Sequence, residues 1–194
     1  MKSIAVFCGS RDGASPVYKE SAHALGQALA EHGITLIYGG ATVGLMGEVA
    51  DAALGAGGNV IGVIPHFLKG REIEHKQLTE LIVVDSMHER KLKMSELAEG
   101  FIALPGGPGT MEEYFEIFTW AQLGLHQKPC GILNIQHYYD PLISLFDQMA
   151  REQFMLDKHR TMFLTDTTPK GILEQFATYS PPSVRTYLTD EQRT

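Results

Sequence analysis

The sequence is poor in cysteine, in long apolar runs and in positive charge. Its two cysteines, Cys8 and Cys130, lie in or beside short apolar runs, which predicts buried free thiols and gives no disulfide framework. No apolar run approaches the ~20 residues that a bilayer-spanning helix needs, so no membrane partner is expected. The formal net charge of −7 over 194 residues disfavours a nucleic acid or an anionic membrane as partner, although it allows a local basic pocket.

Several well-defined catalytic motifs are also absent. No glycine-rich loop is followed by Lys and then Ser or Thr, as a P-loop requires. The G-x-G-x-x-G fingerprint does not follow the first apolar run, and the acidic ribose ligand of the next strand is missing, which disfavours a nicotinamide oxidoreductase. The eight histidines have no metal-ligand spacing and neither cysteine has a partner, so we expect no metal site. The G-x-S-x-G elbow of a serine hydrolase is absent as well.

The length and composition are typical of one globular domain. Hydrophobic residues make up 44% and charged residues 20%, and there are no internal repeats or low-complexity segments. Residues 1–7 enter a predicted strand directly, without a signal-peptide layout, so we expect a cytoplasmic protein. We predict one domain over residues 1–180 and a loose tail over residues 181–194.

Short apolar runs alternate with helical patterns along almost the whole chain. Strands are predicted at residues 4–8, 34–38, 60–64, 81–84, 101–104, 130–135 and 162–164. Helices are predicted at about residues 16–32, 45–54, 87–99, 111–124, 141–154 and 169–179, with cap residues such as Ser86, Asp140 and Thr168. Residues 66–80 are predicted to be a loop with one short helix near the mouth of a site. This alternation predicts an α/β fold: a single doubly wound, Rossmann-like domain with a mostly parallel sheet flanked by helices.

The densest motif is Leu104–Glu113, a glycine- and proline-rich turn that joins a strand to a helix. Its glycines allow a ligand to approach the backbone closely, and the free N–H groups of the helix start favour a phosphate. Glu112 and Glu113 would repel a phosphate, although a carboxylate in the first helical turn also complements the helix dipole. Glu113 and Glu116 are expected on a different flank of that helix from its aromatic stripe. The aromatic stripe itself fits core packing and a subunit interface equally well.

Three glycine-containing loops leave the carboxyl ends of predicted strands, at Gly9–Ser10, Gly39–Gly47 and Pro105–Thr110. Ligands bind at that edge of a doubly wound sheet, so these loops are predicted to form one shared cleft. A nucleoside monophosphate would satisfy the phosphate cradle there.

An arginine is predicted to lie on an inward helix face near this cleft. Ser86 and Glu89 form a capping box, and in the helix that they begin, Arg90 or Lys91 shares the inward stripe with Met94. An arginine that snorkels to the surface would fit this spacing. The alternative is an arginine paired with a carboxylate or an anionic ligand, since a lone buried charge is prohibitive.

Pro105–Glu113 resembles the P-G-G-x-G-T-x-x-E signature of the Lonely Guy (LOG) family, whose members are cytokinin riboside 5′-monophosphate phosphoribohydrolases. Met87–Lys91 is similar to the family's second motif, which carries a functional arginine. Further matches, in the family's order over residues 3–165, are Phe7–Ser10, Tyr38–Gly40, Gly44–Gly47, Val63–Pro65, Arg71–Ile73 and Thr119–Gly124. Two departures are Ala41, where members often carry a third glycine, and residues 74–79, which differ from the plant members and bear on recognition of the base.

The resemblance implies hydrolysis of the N-glycosidic bond of a nucleoside 5′-monophosphate, which releases the free base and ribose 5-phosphate. It implies Arg90 and Glu113 as the catalytic residues, with no metal and no organic cofactor. Residues that would contact the substrate or its phosphate are Ser10, Gly40, Glu72, Lys91, Gly106, Gly107, Gly109, Thr110, Glu112 and Thr119. The partner is thus a small nucleotide, and the chain is expected to form a homodimer or a larger homo-oligomer.

The residues fit this chemistry, while the detailed roles of the two charged groups stay open. The transition state places positive charge on the ribose, so Glu113 would stabilise it, either by positioning the attacking water or by holding the ribose hydroxyls. Arg90 would pair with Glu113 or stabilise the departing base. The sequence does not decide which group protonates the base, or whether that base is isopentenyladenine or plain adenine.

Two other functions are compatible with parts of the sequence. Molybdenum cofactor carriers share this kind of fold and a related glycine-rich cradle, although the presence of both Arg90 and Glu113 favours an enzyme. The family is also often labelled lysine decarboxylase, but no lysine has the setting that a pyridoxal phosphate enzyme needs.

Overall fold

The computed structural model describes residues 1–69 and 74–183, and within them there are seven strands and seven α-helices. The strands are β1 (Ser3–Phe7), β2 (Thr35–Tyr38), β3 (Val60–Pro65), β4 (Glu80–Val84), β5 (Phe101–Ala103), β6 (Cys130–Leu133) and β7 (Phe163–Asp166). The helices are α1 (Pro16–Glu31), α2 (Gly44–Gly55), α3 (Met87–Leu97), α4 (Pro108–Gln122), α5 (Asp140–Arg151), α6 (Asp157–Arg160) and α7 (Pro169–Thr178). Short 3₁₀ turns occur at His66–Leu68 and Ile135–His137.

The strands form one sheet in the order β4-β3-β2-β1-β5-β6-β7, and every neighbouring pair is parallel. The chain builds outward from β1 to β4 and then crosses back to place β5 on the other side of β1. The strand order therefore reverses between β1 and β5, and this is the switch point where such sheets bind ligands. The predicted α/β, doubly wound architecture is confirmed.

Both faces of the central strands are covered, which explains why these strands are mostly apolar, whereas β4 at one edge is partly exposed. Side chains alternate along β1, so that Ile4 and Val6 pack with α1, α2 and α7. Ala5 and Phe7 point to the opposite face and pack with α3, α4 and α5. The two catalytic candidates belong to α3 and α4, which therefore share one face of the sheet.

Two of the predicted helix caps make the expected hydrogen bond. Ser86 and Thr168 each accept from the backbone N–H three residues further on, at 3.1 Å. The prediction that Asp140 caps α5 is wrong, because Tyr139 holds the cap position and Asp140 begins the helix. The Asp140 carboxylate instead accepts a hydrogen bond from Asn134 Nδ2 at 2.7 Å and so holds the preceding turn.

The remaining differences from the predicted elements lie mainly at helix ends. α3 and α5 stop earlier than predicted, and α6 has no counterpart in the prediction because four residues are too few to show a helical period. Both cysteines are buried and free, as predicted. No helix within the described residues is long and apolar enough to cross a membrane. The predicted tail reaches beyond residue 183 and stays a prediction.

Candidate active site

A hollow of about 300 Å³ lies at the carboxyl ends of the central strands, next to the switch point between β1 and β5. All three predicted loops contribute to its wall. Of the predicted site residues, it brings together Ser10, Arg90, Gly107, Gly109, Thr110, Glu112 and Glu113. The convergence of distant segments follows from the parallel topology, since the carboxyl ends of all strands meet at one edge.

Arg90 and Glu113 form a buried ion pair in this hollow. Arg90 Nη2 lies 3.5 Å from Glu113 Oε1, and the two side chains are only 10% and 11% exposed. Arg90 Nε also donates a hydrogen bond to the carbonyl of Val63 in β3, at 3.1 Å. The guanidinium is therefore held inward against the sheet, and the surface-snorkelling alternative is wrong.

Gly39 leaves the space that this guanidinium occupies. A Cβ atom at this position would overlap Arg90 Nη2 and the terminal methyl group of Met46. The φ angle of Gly39 is not positive, so the requirement for glycine is steric rather than conformational. The glycine that follows β2 thus helps to define the position of an arginine from a helix that begins 48 residues later (Gly39 to Met87).

The electrostatics of Glu113 are set by opposing effects. Burial raises the pKa of its carboxyl, the charge of Arg90 lowers it and that of Glu112 raises it, and the resulting pKa lies above the ordinary value. Glu113 lies on the buried face of α4 with Tyr114, which corrects the prediction that it occupies a separate flank. A charged side chain is tolerated at this position because it contacts Arg90 in the hollow and does not enter the apolar core.

The turn before α4 is open on the side where a ligand would bind. Gly107 is the N-cap residue of α4, and no side chain caps the first amides. A Cβ atom at Gly107 or Gly109 would meet nothing within 4 Å, whereas at Gly106 it would overlap the Thr110 side chain. One glycine is thus required for packing, and the other two leave the helix start accessible to an anion.

Comparisons with known proteins identify the family. Residues 46–176 match the family model described as possible lysine decarboxylase. A cytokinin riboside 5′-monophosphate phosphoribohydrolase from Rhodococcoides fascians is 51% identical over 173 residues, which cover 89% of this chain and 87% of that one. The chain belongs to the LOG family. The LOG protein of rice, Oryza sativa subsp. japonica, is 42% identical over 191 residues, 98% of this chain and 79% of that protein.

A solved structure of a protein with another name shares the same architecture. The molybdenum cofactor binding protein of Rippkaea orientalis superposes with a TM-score of 0.69 at 22% identity, over 91% of this chain and 96% of that chain. At this level of identity the likeness concerns the fold alone. The LOG-family assignment rests on the sequence relatives.

Lys91, the last residue of the second LOG-family motif, does not line the hollow. Lys91 is buried and pairs with Glu112 and Glu116 of α4, at 2.5 and 3.0 Å. The sequence left Arg90 or Lys91 open as the inward residue, and both are buried, but only Arg90 enters the hollow. Lys91 is not among the lining residues, and its expected contact with the phosphate stays a prediction.

Three further residues that match LOG-family positions, Gly40, Gly106 and Thr119, also lie outside the lining. Gly40, with φ +75°, is held by a hydrogen bond from His75 N–H to its carbonyl at 2.9 Å, and it shapes the wall indirectly. Gly106 packs inside the turn, and Thr119 is exposed on α4. Glu72 lies outside the described residues, and its expected contact stays a prediction.

The sequence did not indicate two tyrosines that contact the glycine-rich turn. Tyr138 and Tyr139 donate hydroxyl hydrogen bonds to the carbonyls of Gly106 and Leu104, each at 2.7 Å. Their position directly after β6, at the same edge of the sheet, is the signal that could have found them. Cys8 also lines the hollow, and burial, with the charge of Glu113, raises the pKa of its thiol, so the thiol stays protonated.

A second hollow of about 360 Å³ adjoins the first on the other side of the turn. The two share Gly9, Ser10, Gly107 and Pro108, and the second also has the aromatic side chains of Tyr18 and Tyr138 in its wall. A larger hollow of about 540 Å³ beside α1 and α2 is lined by none of the predicted site residues. In its wall Lys19 and His23 each pair with Glu48, and we assign this hollow no part in the site.

Proposed function

We propose that this chain hydrolyses the N-glycosidic bond of a nucleoside 5′-monophosphate and releases the free base and ribose 5-phosphate. The observation that carries the proposal is the buried Arg90–Glu113 pair beside the open start of α4. The names of relatives at 42% and 51% identity over most of the chain support the same reaction. A cytokinin riboside 5′-monophosphate and plain AMP are both candidate substrates.

The phosphate of the substrate would bind at the start of α4. The open backbone at Gly107 and Gly109 and the positive end of the helix dipole favour an anion there, and Thr110 and Ser10 add hydroxyl groups to the same wall. Glu113 lies four residues after Gly109, or about 6 Å along the helix axis. A phosphate anchored at the turn would therefore place its ribose close to the Glu113 carboxylate.

Glu113 would stabilise the positive charge that develops on the ribose. In the reaction, water adds its oxygen to C1′, the C1′–N bond breaks, and the base leaves with the bonding pair and takes up a proton. A carboxylate beside the ribose is favourable in the transition state although it repels the ground-state phosphate, and this difference accelerates the reaction. Positioning the water and holding the ribose hydroxyls are both compatible with its place in the hollow.

Arg90 would keep Glu113 ionised. Its charge lowers the pKa of the buried carboxyl against the effect of burial, so that a carboxylate is available to face the ribose. A guanidinium in the same hollow would also favour negative charge on the departing base. The hydrogen bond to the Val63 carbonyl fixes the guanidinium for either task.

The decarboxylase label is disfavoured by the state of Lys91. Such chemistry uses a lysine with a lowered pKa, held in the pocket of a pyridoxal phosphate. Burial lowers the pKa of Lys91, but hydrogen bonds and charges from Glu112 and Glu116 outweigh burial and raise it. None of the residues that line the hollow is a lysine. The carrier alternative has weaker support, since the carrier-like structure is 22% identical to this chain.

We further propose a homodimer formed through α3 and α4. Leu92 on α3 and Leu123 at the end of α4 are 50% and 42% exposed, and Thr119 is exposed one turn before Leu123. Since Thr119 does not line its own hollow, a contact of this residue with substrate would require a second copy. Light scattering should show a dimer that Leu92→Glu dissociates, and a monomeric wild-type protein would refute the interface.

A cytoplasmic setting is also part of the proposal. Cys8 and Cys130 are buried free thiols, as is usual in a reducing compartment. Fractionation of cells that produce the protein would test this, and recovery outside the cytoplasm would contradict it.

A panel of nucleoside 5′-monophosphates tests the reaction and its base preference together. Purified protein is incubated with AMP, GMP, CMP, UMP and isopentenyladenine riboside 5′-monophosphate, and free base and ribose 5-phosphate are measured separately. The proposal expects the two products in equal amounts. Release of inorganic phosphate and a nucleoside instead would show a phosphatase and refute the proposal.

A further inference from the structure

Three consecutive carbonyl groups of the glycine-rich turn accept hydrogen bonds from residues outside it. The bonds run from Tyr139 Oη to Leu104 O at 2.7 Å, from Gly9 N to Pro105 O at 3.1 Å and from Tyr138 Oη to Gly106 O at 2.7 Å. The turn is therefore held from both sides, by the loop after β1 and by the segment after β6. Its peptide groups have fixed orientations.

Fixing a carbonyl also fixes the N–H group of the same peptide unit. In a planar trans peptide the C=O and N–H bonds point in opposite directions, and the described residues contain no cis peptide bond. The Pro105 carbonyl therefore orients the N–H of Gly106, and the Gly106 carbonyl orients the N–H of Gly107. The Leu104 carbonyl orients no N–H, because the next residue is a proline.

Tyr138 reaches the turn from a strained segment. Gln136 and His137 have φ angles of +48° and +61°, a left-handed conformation that residues other than glycine rarely adopt. Asn134 Oδ1 holds this segment by accepting a hydrogen bond from Tyr139 N–H at 2.7 Å. Strain of this kind persists only where the surroundings fix it, and it is concentrated near functional sites.

We propose that Tyr138 is a positioning residue for the anion site, because its hydroxyl holds the Gly106–Gly107 peptide with the Gly107 N–H toward the phosphate. Gly107 lines both hollows and Tyr138 lines only the second, so an N–H directed away from Tyr138 is directed to the first. The inference rests on the proposed function, since it takes the first hollow as the phosphate site. It gives Tyr138 a role in affinity for phosphorylated ligands and none in bond cleavage.

Two other tyrosines provide matched control variants. Tyr139→Phe also removes a hydrogen bond to the turn, but the bond lost is to the Leu104 carbonyl, which orients no N–H group. Tyr18→Phe removes a hydroxyl from the second hollow, where the Tyr18 ring packs edge-on against Tyr138 with centroids 5.9 Å apart. Tyr139 is 3% exposed, so its variant should lose thermal stability, whereas Tyr138 is 43% exposed and its variant should keep the wild-type fold.

Binding of ribose 5-phosphate to ¹⁵N-labelled protein measures the orientation of these amides directly. The wild type and the three variants are titrated while the amide signals of Gly106 and Gly107 are followed. Tyr138→Phe is expected to bind about tenfold more weakly and to lose most of the shift at Gly107, because a hydrogen bond to an anion contributes roughly that factor. The two control variants should bind within about twofold of wild type.

Steady-state kinetics with AMP provide a second readout. The KM of Tyr138→Phe should rise by about the same factor while kcat stays nearly unchanged, as is expected when ground-state and transition-state binding are weakened equally. A lower kcat with an unchanged KM would overturn the positioning role. If Tyr138 had a purely structural role, the variant would instead have a lower melting temperature without a selective rise in KM.

The failures of the two proposals are distinguishable. If Tyr138→Phe binds ribose 5-phosphate like wild type, or if Tyr139→Phe weakens binding equally, the positioning role is wrong and the phosphate site stands. If neither glycine amide responds to ribose 5-phosphate in the wild-type protein, the phosphate site is wrong and the positioning role fails with it.

Discussion

Arg90 of α3 and Glu113 of α4 lie 3.5 Å apart in a hollow that both helices reach from the same face of the sheet. Each charge is costly to bury alone, and each reduces that cost for the other. The pair stands next to the open start of a helix, which attracts an anion. A site with this arrangement can bind a phosphate and still keep a carboxylate available for a developing positive charge.

Replacing Glu113 with glutamine should abolish most of the turnover. The change removes the negative charge that stabilises the ribose cation, so kcat/KM for AMP is expected to fall by about 10²–10⁴. Glu116→Gln is the matched control, since Glu116 is on the same helix and pairs with Lys91 outside the hollow. Its activity should stay within about threefold of wild type. Comparable losses in both variants, with intact circular dichroism, would contradict the role of Glu113.

Replacing Gly39 with alanine should reduce activity by displacing Arg90. The new methyl group would occupy the place of the guanidinium, and a shift of about 1 Å in a catalytic group can lower the rate about 10²-fold. Gly55→Ala serves as the control, because a Cβ atom there meets nothing within 4 Å. Kinetics and thermal unfolding of both variants check this. Wild-type activity in Gly39→Ala would show that the position of Arg90 does not depend on this glycine.

The pH dependence of activity should respond to the charge of Arg90. Glu113 acts when ionised, so activity falls as the pH drops through its pKa, which burial raises above the ordinary value. Arg90→Gln removes the charge that lowers this pKa, and the acidic limb of kcat/KM should therefore move to higher pH. Arg90→Lys keeps a positive charge and should shift the limb less. Where turnover is too slow, the ¹³C carboxyl signal of Glu113 reports the same titration, and identical midpoints in all three proteins would refute the coupling.

Stability should depend on pH through His126, outside the site. Its Nε2 donates to the Ile117 carbonyl at 3.0 Å, its Nδ1 accepts from Lys128 N–H at 3.2 Å, and burial lowers its pKa from 6.5 to about 4. The unfolded chain thus binds a proton that the folded chain does not. The stabilising contribution is complete above about pH 6.5 and is lost as the pH falls toward about 4.

Urea unfolding at about pH 7.5 and about pH 5 measures this effect. The free energy of unfolding of the wild type should fall between these pH values by more than that of His126→Gln. The variant should also be less stable at the higher pH, because it loses the two hydrogen bonds of the neutral ring. An equal dependence on pH in both proteins would show that His126 does not titrate differently on folding.

Much of the fold could be predicted because its signals are local. Continuous apolar runs such as Ile4–Cys8 mark strands that are buried on both faces, and the cap residue Ser86 marks the start of α3. The proximity of Arg90 and Glu113 could also be predicted, since parallel topology brings loops from the carboxyl ends of strands together. Which of Arg90 and Lys91 enters the hollow could not be predicted, because both side chains are buried. Only their different partners on the neighbouring α4 distinguish the two residues.

The support of the glycine-rich turn could not be predicted in the same way. Tyr138 depends on two left-handed residues, Gln136 and His137, for which the sequence shows neither glycine nor another local sign. Its hydrogen bond joins residues 32 positions apart, and such pairings leave no periodic trace. The cap role of Asp140 was predicted wrongly for a related reason, since its carboxylate accepts a hydrogen bond from the turn before the helix and does not cap the helix.

The central claim is that a phosphate anchored at the start of α4 places a ribose beside Glu113. Release of adenine from AMP and from adenosine, measured under identical conditions, tests this most directly. The account predicts efficient release from AMP and a kcat/KM for adenosine lower by at least about 10²-fold, because the anchoring interactions are lost with the phosphate. Equal release from both compounds would contradict the claim.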